Sequence, residues 1–239
     1  MKCVRPVKIL KVRDKMQHEM EDYVVVEYEL SLSINGSEFI RFICTPEKME
    51  ELAIGHLYSE NIIKDYDSIT GIQFETLDEE SGKMNLDITH PDSFVDNYHV
   101  LNAHPELDLE RISQIMRVFN KRSRLFMDTG GVHSCGITDL NTEDILYFAE
   151  DIGRHNALDK VVGWMLKEKA DFKDKILLTS GRVSSEIVYK ALSAKIGVLV
   201  SRSAPTSKAL SIAAKYNMTI VGFARGNRLN VYIGSSPSN

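Results

Sequence analysis

From residue 145 onward, runs rich in β-branched residues alternate with amphipathic helical runs, and this alternation most restricts the fold. Ile145–Glu150, Lys175–Thr179, Val198–Ser201, Thr219–Phe223 and Leu229–Ile233 read as strands. Helices are expected after Asp151, from Ser184 to about Lys195, and over Ser207–Tyr216 with Thr206 as cap. Such an order predicts a largely parallel sheet covered by helices, with ligands bound beyond the carboxyl ends of the strands. Upstream, Leu109–Lys121 reads as a helix and Arg124–Asp128 as a further strand.

The first hundred residues have a different texture. Tyr23–Leu32 and Glu38–Cys44 flank Asn35-Gly36, a strong hairpin signal. Thr45 then caps a helix with Pro46 at its first position, running to about Glu60 and burying Met49, Leu52, Ala53 and Leu57. Ile69–Thr76 and Lys83–Thr89 read as a second hairpin, and Tyr98–Asp108 as a linker. The chain is therefore expected to be α/β (α+β overall), with a β-rich unit over 1–104 and a regular α/β unit over 105–239.

The stretch Asp151-Ile152-Gly153-Arg154-His155-Asn156-Ala157-Leu158-Asp159-Lys160 carries the densest chemistry. A glycine precedes a crowd of polar groups in the first turns of a helix whose apolar stripe is Leu158, Val161, Val162, Met165 and Leu166. Unpaired N–H groups and the positive dipole end collect anions there. A simple polar cap is the alternative, with His155–Asp159 and Asn156–Lys160 as surface pairs four residues apart.

Other candidates fall at predicted strand ends. Ser180-Gly181-Arg182, followed by Ser184 and Glu186, makes a glycine turn into a helix, suited to a phosphate or to nothing but the turn. Ser203, Ala204, Pro205 and Thr206 form a donor-rich, proline-stiffened loop that binds a ligand or caps a helix. Gly222-Phe223-Ala224-Arg225-Gly226 offers a ring for stacking, or a core phenylalanine. Net charge is −5, which argues against a general nucleic-acid binder, yet Arg154, Arg182, Arg202, Arg225 and Arg228 all lie beside such loops. That placement suggests a local anion site; the alternative is exposed loop arginines with no common target.

In Thr129-Gly130-Gly131-Val132-His133-Ser134-Cys135, an extended backbone puts His133 and Cys135 on one face, where imidazole lowers a thiol pKa. The competing reading is a small buried cysteine. Cys3 and Cys44 read as structural or incidental. Three cysteines without CxxC or metal-ligand spacing fit a reducing compartment and predict no metal. No apolar run approaches the length of a membrane span, and Met1–Met20 is charged without the apolar core of a secretory signal. A cytoplasmic protein is expected.

Taken together, Thr129–His133, Asp151–Trp164, Ser180–Glu186, Ser201–Thr206 and Gly222–Gly226 resemble the formate dehydrogenase accessory protein family, FdhD. Thr45-Pro46 with Glu51–Leu57 resembles its N-terminal segment, so the resemblance covers nearly the whole chain. It implies a C-terminal domain similar in fold to cytidine deaminases. A zinc deaminase carries His-x-Glu and Pro-Cys-x-x-Cys at two helix starts. The matching starts here are Arg154-His155-Asn156 and Ser180-Gly181-Arg182, without the cysteine pair, so zinc is not expected and a nucleotide-binding, deaminase-like enzyme is the outlying reading.

The resemblance further implies sulfur transfer from a cysteine desulfurase to molybdopterin guanine dinucleotide, destined for formate dehydrogenase, and a homodimer. The implied cofactor-binding residues are Gly130, Gly131, Arg154, His155, Asn156, Asp159, Lys160, Ser180, Gly181, Arg182, Ser203, Ala204, Pro205, Thr206, Phe223 and Arg225. The family's usual Cys-x-x-Cys loop is missing: Phe94–Met127 contains no cysteine. Either Cys135, with His133, has taken over a persulfide relay, or the protein binds and delivers the cofactor without carrying sulfur.

Overall fold

A computed structural model describes residues 2–89, 98, 100–101 and 105–234. It begins with a hairpin of β1 (Val4–Arg13) and β2 (Met16–Val25), which the sequence reading did not foresee. The expected strand Tyr23–Leu32 is divided between β2 and β3 (Tyr28–Ile34). β3 pairs with β4 (Ser37–Cys44) through the Asn35-Gly36 turn, where both residues have positive φ. After α1 (Met49–Ser59), β5 (Ile69–Thr76) and β6 (Ser81–Ile88) form the second expected hairpin. The parallel β3–β6 pairing joins the two hairpins into a four-stranded sheet of order β4-β3-β6-β5.

The cap expected for α1 is not there. The helix starts three residues later than Pro46, its cap position is Lys48 in the left-handed region, and Thr45 is turned instead toward Asp151. The expected linker over Tyr98–Asp108 lies partly outside the described residues, and its described members carry no helix or strand.

The second half holds α2 (Leu109–Arg122), α3 (Arg124–Thr129), β7 (His133–Asp139), β8 (Ile145–Asp151), α4 (Arg154–Lys167), β9 (Lys175–Thr179), α5 (Ser185–Ser193), β10 (Val198–Ser201), α6 (Ser207–Lys215), β11 (Thr219–Arg225) and β12 (Arg228–Ile233). Arg124–Asp128 is thus helical, not extended. Glu150 explains the reversal: its carboxylate accepts from the N–H groups of Leu125 and Phe126 and from Ser123 Oγ, holding an anion at the helix start.

The six-stranded sheet has order β12-β11-β10-β9-β7-β8. Only β9–β10 and β10–β11 pair in parallel; β7–β8, β7–β9 and β11–β12 are antiparallel. The expectation of a mostly parallel sheet is corrected to a mixed one. The cause is local: β7 precedes β8 by a tight turn rather than a helix, and β11 turns back at Gly226 (φ 59°).

Alternation along the strands builds three layers. Leu177, Leu199, Ile220, Cys135 and Ile137 pack with α4, α5 and α6 on one face. Ile176, Leu178, Val198, Val200 and Val221 pack with Ile112, Ile115, Met116 and Phe119 of α2 on the other. α1 lies over α4 so closely that only glycine fits: a Cβ on Gly55 would sit 1.8 Å from the Asp159 carbonyl oxygen, and one on Gly163 1.9 Å from that of Glu51. This contact makes the N-terminal sheet and α4 parts of one hydrophobic core.

Candidate functional site

Topology brings remote loops to one end of the sheet. The parallel strands β9, β10 and β11 end at Thr179, Ser201 and Arg225. Because β7 is antiparallel to β9, it is the start of β7, His133, that arrives at the same end. The loops are knitted together by main-chain contacts: Ser180 N–H donates to Ser134 O, Ser134 N–H to Ser180 Oγ, and Arg202 N–H to Thr179 O.

Between these loops and α3 lies a cleft of about 370 Å³. Gly130, Gly131, His133, Ser180, Arg202, Ser203 and Arg225 line it, together with Ser123 and Phe126. Arg225 Nε donates to the carbonyl of Arg202 at 2.8 Å, and the Arg202 guanidinium stands 5.7 Å from the centre of the Phe126 ring. Gly130 ends α3 with φ 67°, which turns the Gly130-Gly131 backbone into the cleft wall. Burial, then the positive fields of Arg154 and Arg182, push the His133 pKa below its ordinary value. Burial and the two guanidinium groups favour the neutral imidazole, and the Asp151 carboxylate opposes them.

Arg154 crosses over Gly181, where a Cβ would stand 3.0 Å from its own Cβ. Its Nε is buried without a hydrogen-bond partner among the described residues, as are His155 Nε2 and Ser184 Oγ. Of the four such atoms among the described residues, these three sit at the starts of α4 and α5 and the fourth, Tyr28 Oη, in β3. Buried polar atoms are nearly always satisfied in folded proteins, so this cluster marks a place for a ligand or ordered water. His155 Nδ1 lies 3.2 Å from Glu186 Oε2, while burial and then Arg154 lower its pKa. The imidazole faces a second cleft of about 470 Å³, on the α1 side, shared with His56, Asn156, Tyr189 and Lys190.

The rest of the expected polar crowd is structural. The surface pairs His155–Asp159 and Asn156–Lys160 do not form. Lys160, fully buried, has its ammonium 2.6 Å from Asp151 Oδ2 and 2.7 Å from Thr45 Oγ1. Asn156 Nδ2 donates to Asp151 Oδ1 and to the Ile43 carbonyl. Asp159, 1% exposed, accepts both Lys190 bonds at 2.9 Å and one from Ser59 Oγ. Burial works to raise its pKa, but Lys190 and His56 hold it below the usual carboxylate value. Asp159 and Lys160 thus have no free valence for a cofactor, which corrects their expected role.

Cys135 is corrected in the same way. Its residue is fully buried in the core between Ala149 and Thr179, and burial pushes the thiol pKa well above the ordinary value. It shares a strand face with His133, but the imidazole is at the solvent end and the thiol is within. A nucleophilic thiolate needs the reverse conditions. Burial likewise pushes Cys3 and Cys44 up to about 12.

The remaining expected residues frame the cleft from behind. Ala204 O accepts from Val183 N–H, Pro205 bridges to Val183, and Thr206 Oγ1 caps α6 by accepting from Ala209 N–H. Arg182 is exposed beside the cleft. Phe223 is half-buried at positive φ, its N–H held by Ser203 O, and is not part of the cleft wall. Arg228 lies elsewhere, with Arg117 and Asn227 near α2. Sequence reasoning missed Ser123 and Phe126 because it read α3 as a strand; a serine preceding a six-residue apolar-polar run was the available signal.

Known proteins resemble this chain in sequence and in fold. The profile of the FdhD/NarQ family matches residues 25–99 and 75–237. The chain is 36% identical to the sulfur carrier protein FdhD of Bacillus subtilis, covering 94% of this chain and 96% of that one. It is equally identical to the protein of the same description in Bacillus pumilus, with 88% of each chain covered. A crystal structure from Desulfotalea psychrophila, described as a formate dehydrogenase accessory protein, superposes with a TM-score of 0.82 at 26% identity over 98% of each chain.

Proposed function

The chain belongs to the FdhD/NarQ family, and from that premise we propose that it is an accessory protein for formate dehydrogenase that holds a molybdopterin guanine dinucleotide in the arginine-lined cleft. The carrying observation is the convergence of Arg202, Arg225, Ser180, Ser203 and the Gly130-Gly131 backbone on one hollow, beside the unsatisfied Arg154 Nε. A pyrophosphate suits forked guanidinium donors and the hydroxyls of Ser180 and Ser203. Phe126 and Arg202 offer flat faces for a ring. When bound, the cofactor supplies the metal-binding dithiolene chemistry; the chain supplies charge, orientation and exclusion of water. His155 Nε2, as an acceptor with Nδ1 turned to Glu186, extends the hydrogen-bonding surface toward the second cleft.

Two readings of the sulfur chemistry compete, and burial of all three thiols favours one. In the first, a cysteine desulfurase passes a persulfide to Cys135. In the second, the protein binds and delivers the cofactor without carrying sulfur on its own cysteines. The second is our reading for this chain. Cells making only the Cys135→Ala variant test it: activation of formate dehydrogenase should persist. Loss of activation with a normally folded variant, or a 32-dalton gain on Cys135 after incubation with desulfurase and cysteine, would restore the relay.

A further inference from the structure

Two clefts of opposite sign flank the start of α4. The first is lined by Arg202 and Arg225 and, among the described residues, by no carboxylate. The second, of about 470 Å³ on the α1 side, is lined by three carboxylates, Glu60, Asp159 and Glu186, against one ammonium, Lys190. That ammonium is spent within the cluster. Lys190 Nζ lies 2.9 Å from each Asp159 oxygen and 3.4 Å from Glu60 Oε1, and its side chain is 8% exposed. His56 Nδ1 is 3.5 Å from the same Asp159 carboxylate. The side chains of Glu186 and Glu60, by contrast, are 69% and 47% exposed, so their oxygens remain open.

His155 completes this wall. Its Nδ1 lies 3.2 Å from Glu186 Oε2, which places the proton on Nδ1 and leaves Nε2 as an acceptor. That acceptor is buried and has no partner among the described residues. Burial and the field of Arg154, the cation on the other side of the ring, both favour the neutral imidazole. A buried acceptor beside open carboxylates calls for a donor, not for an anion. Ring surface is at hand as well. Phe42 meets His56 edge-on at 5.0 Å, and Tyr98 stacks on Tyr189 at 5.0 Å, all four lining the same cleft.

We propose that this second cleft binds a guanidinium group, carried by a small free cation or by an arginine side chain of another polypeptide. A guanidinium presents five N–H donors in one plane and stays charged at any physiological pH. Its donors match the oxygens of Glu60 and Glu186 and the lone pair of His155 Nε2, and its flat face suits the aromatic rings. An ammonium brings three donors and no plane, and an anion meets the carboxylates. The site is separate from the dinucleotide cleft, with which it shares no lining residue.

Calorimetric titration of the full chain tests this with two probes: agmatine, a free guanidino amine, and acetyl-Gly-Arg-Gly-amide, which carries the group on a polypeptide. At least one should bind at a single saturable site with a Kd below about 1 mM, and the tighter of the two identifies the source. n-Butylamine, which has the charge without the plane, should bind about tenfold or more weakly. Glu186→Gln, at an exposed position, should weaken the tighter probe about tenfold or more, whereas the Arg202→Ala, Arg225→Ala protein should bind it as the wild type does. Binding of neither probe, equal binding of n-butylamine, or wild-type affinity in Glu186→Gln overturns the proposal, whatever guanosine diphosphate does. Failure of guanosine diphosphate alone removes the dinucleotide reading and leaves this one standing.

Discussion

Arg154 and Lys160 belong to the same helix, within two turns of each other, yet one cation is half-buried beside Gly181 and the other is sealed in the core. Lys160 has Asp151, Thr45 and the Glu150 carbonyl around it. Arg154 has a buried Nε with no partner among the described residues, a glycine beneath it and another arginine nearby. The difference teaches how to sort a polar cluster. Groups whose valences are all met hold α4 against the N-terminal sheet, and groups with a valence left over wait for something from outside.

The largest expected effect breaks the sealed side. Lys160→Ala leaves the Asp151 carboxylate buried and uncompensated, which should cost about 3–5 kcal/mol in chemical denaturation. Asp151→Asn combined with Lys160→Met should cost much less than the sum of its parts, since no lone charge remains. Gly163→Ala should follow, at about 2–3 kcal/mol, because its Cβ would meet the Glu51 carbonyl and force α1 from α4. These losses appear as a lower denaturation midpoint with no specific change at the cleft.

The open side should behave in the opposite way. Arg225→Ala, at an exposed position, should leave the midpoint within about 0.5 kcal/mol of wild type, and Arg202→Ala, at a half-buried one, within about 1 kcal/mol. Each should weaken binding of guanosine diphosphate about tenfold or more, the loss of a charge-assisted contact, measured by calorimetry.

A smaller effect concerns pH. Burial and the neighbouring arginines hold the His133 pKa low in the free protein. A bound anion offsets those arginines and raises it, so binding takes up a proton. Affinity should therefore rise a few-fold as pH falls below about 6.5, the ordinary imidazole value. His133→Asn should flatten that part of the profile and leave only the slope due to the phosphate itself. The smallest effect is at Cys135→Ala, whose loss of a small buried group should cost about 1 kcal/mol while activation of formate dehydrogenase in cells persists.

Much of the architecture is legible in the sequence because it rests on local signals. Asn35-Gly36 announces its hairpin, Thr206 caps α6, and Val198–Ser201 is a strand with the bounds expected. What is not legible depends on partners far along the chain. Thr45 looks like a helix cap until Asp151 is brought beside it. Arg124–Asp128 looks extended until Glu150 anchors a helix there. The β1–β2 ribbon has mixed charge and no Asn-Gly turn; Asp14 and Lys15 make its bend at positive φ instead. The candidate site follows the same rule. Composition and spacing placed the arginines at strand ends, but only the fold shows that Arg202 and Arg225 share a hollow while Arg228 does not.

The central claim is that the hollow at the strand ends, and not the sealed charges beneath it, receives an anionic dinucleotide. Calorimetric titration with guanosine diphosphate, on the wild type and on the doubly substituted Arg202→Ala, Arg225→Ala protein, tests it most directly. One saturable site in the wild type, lost in a double variant that still denatures at the wild-type midpoint, is the predicted result. Equal binding by both proteins, or no binding by a folded wild type, would contradict it.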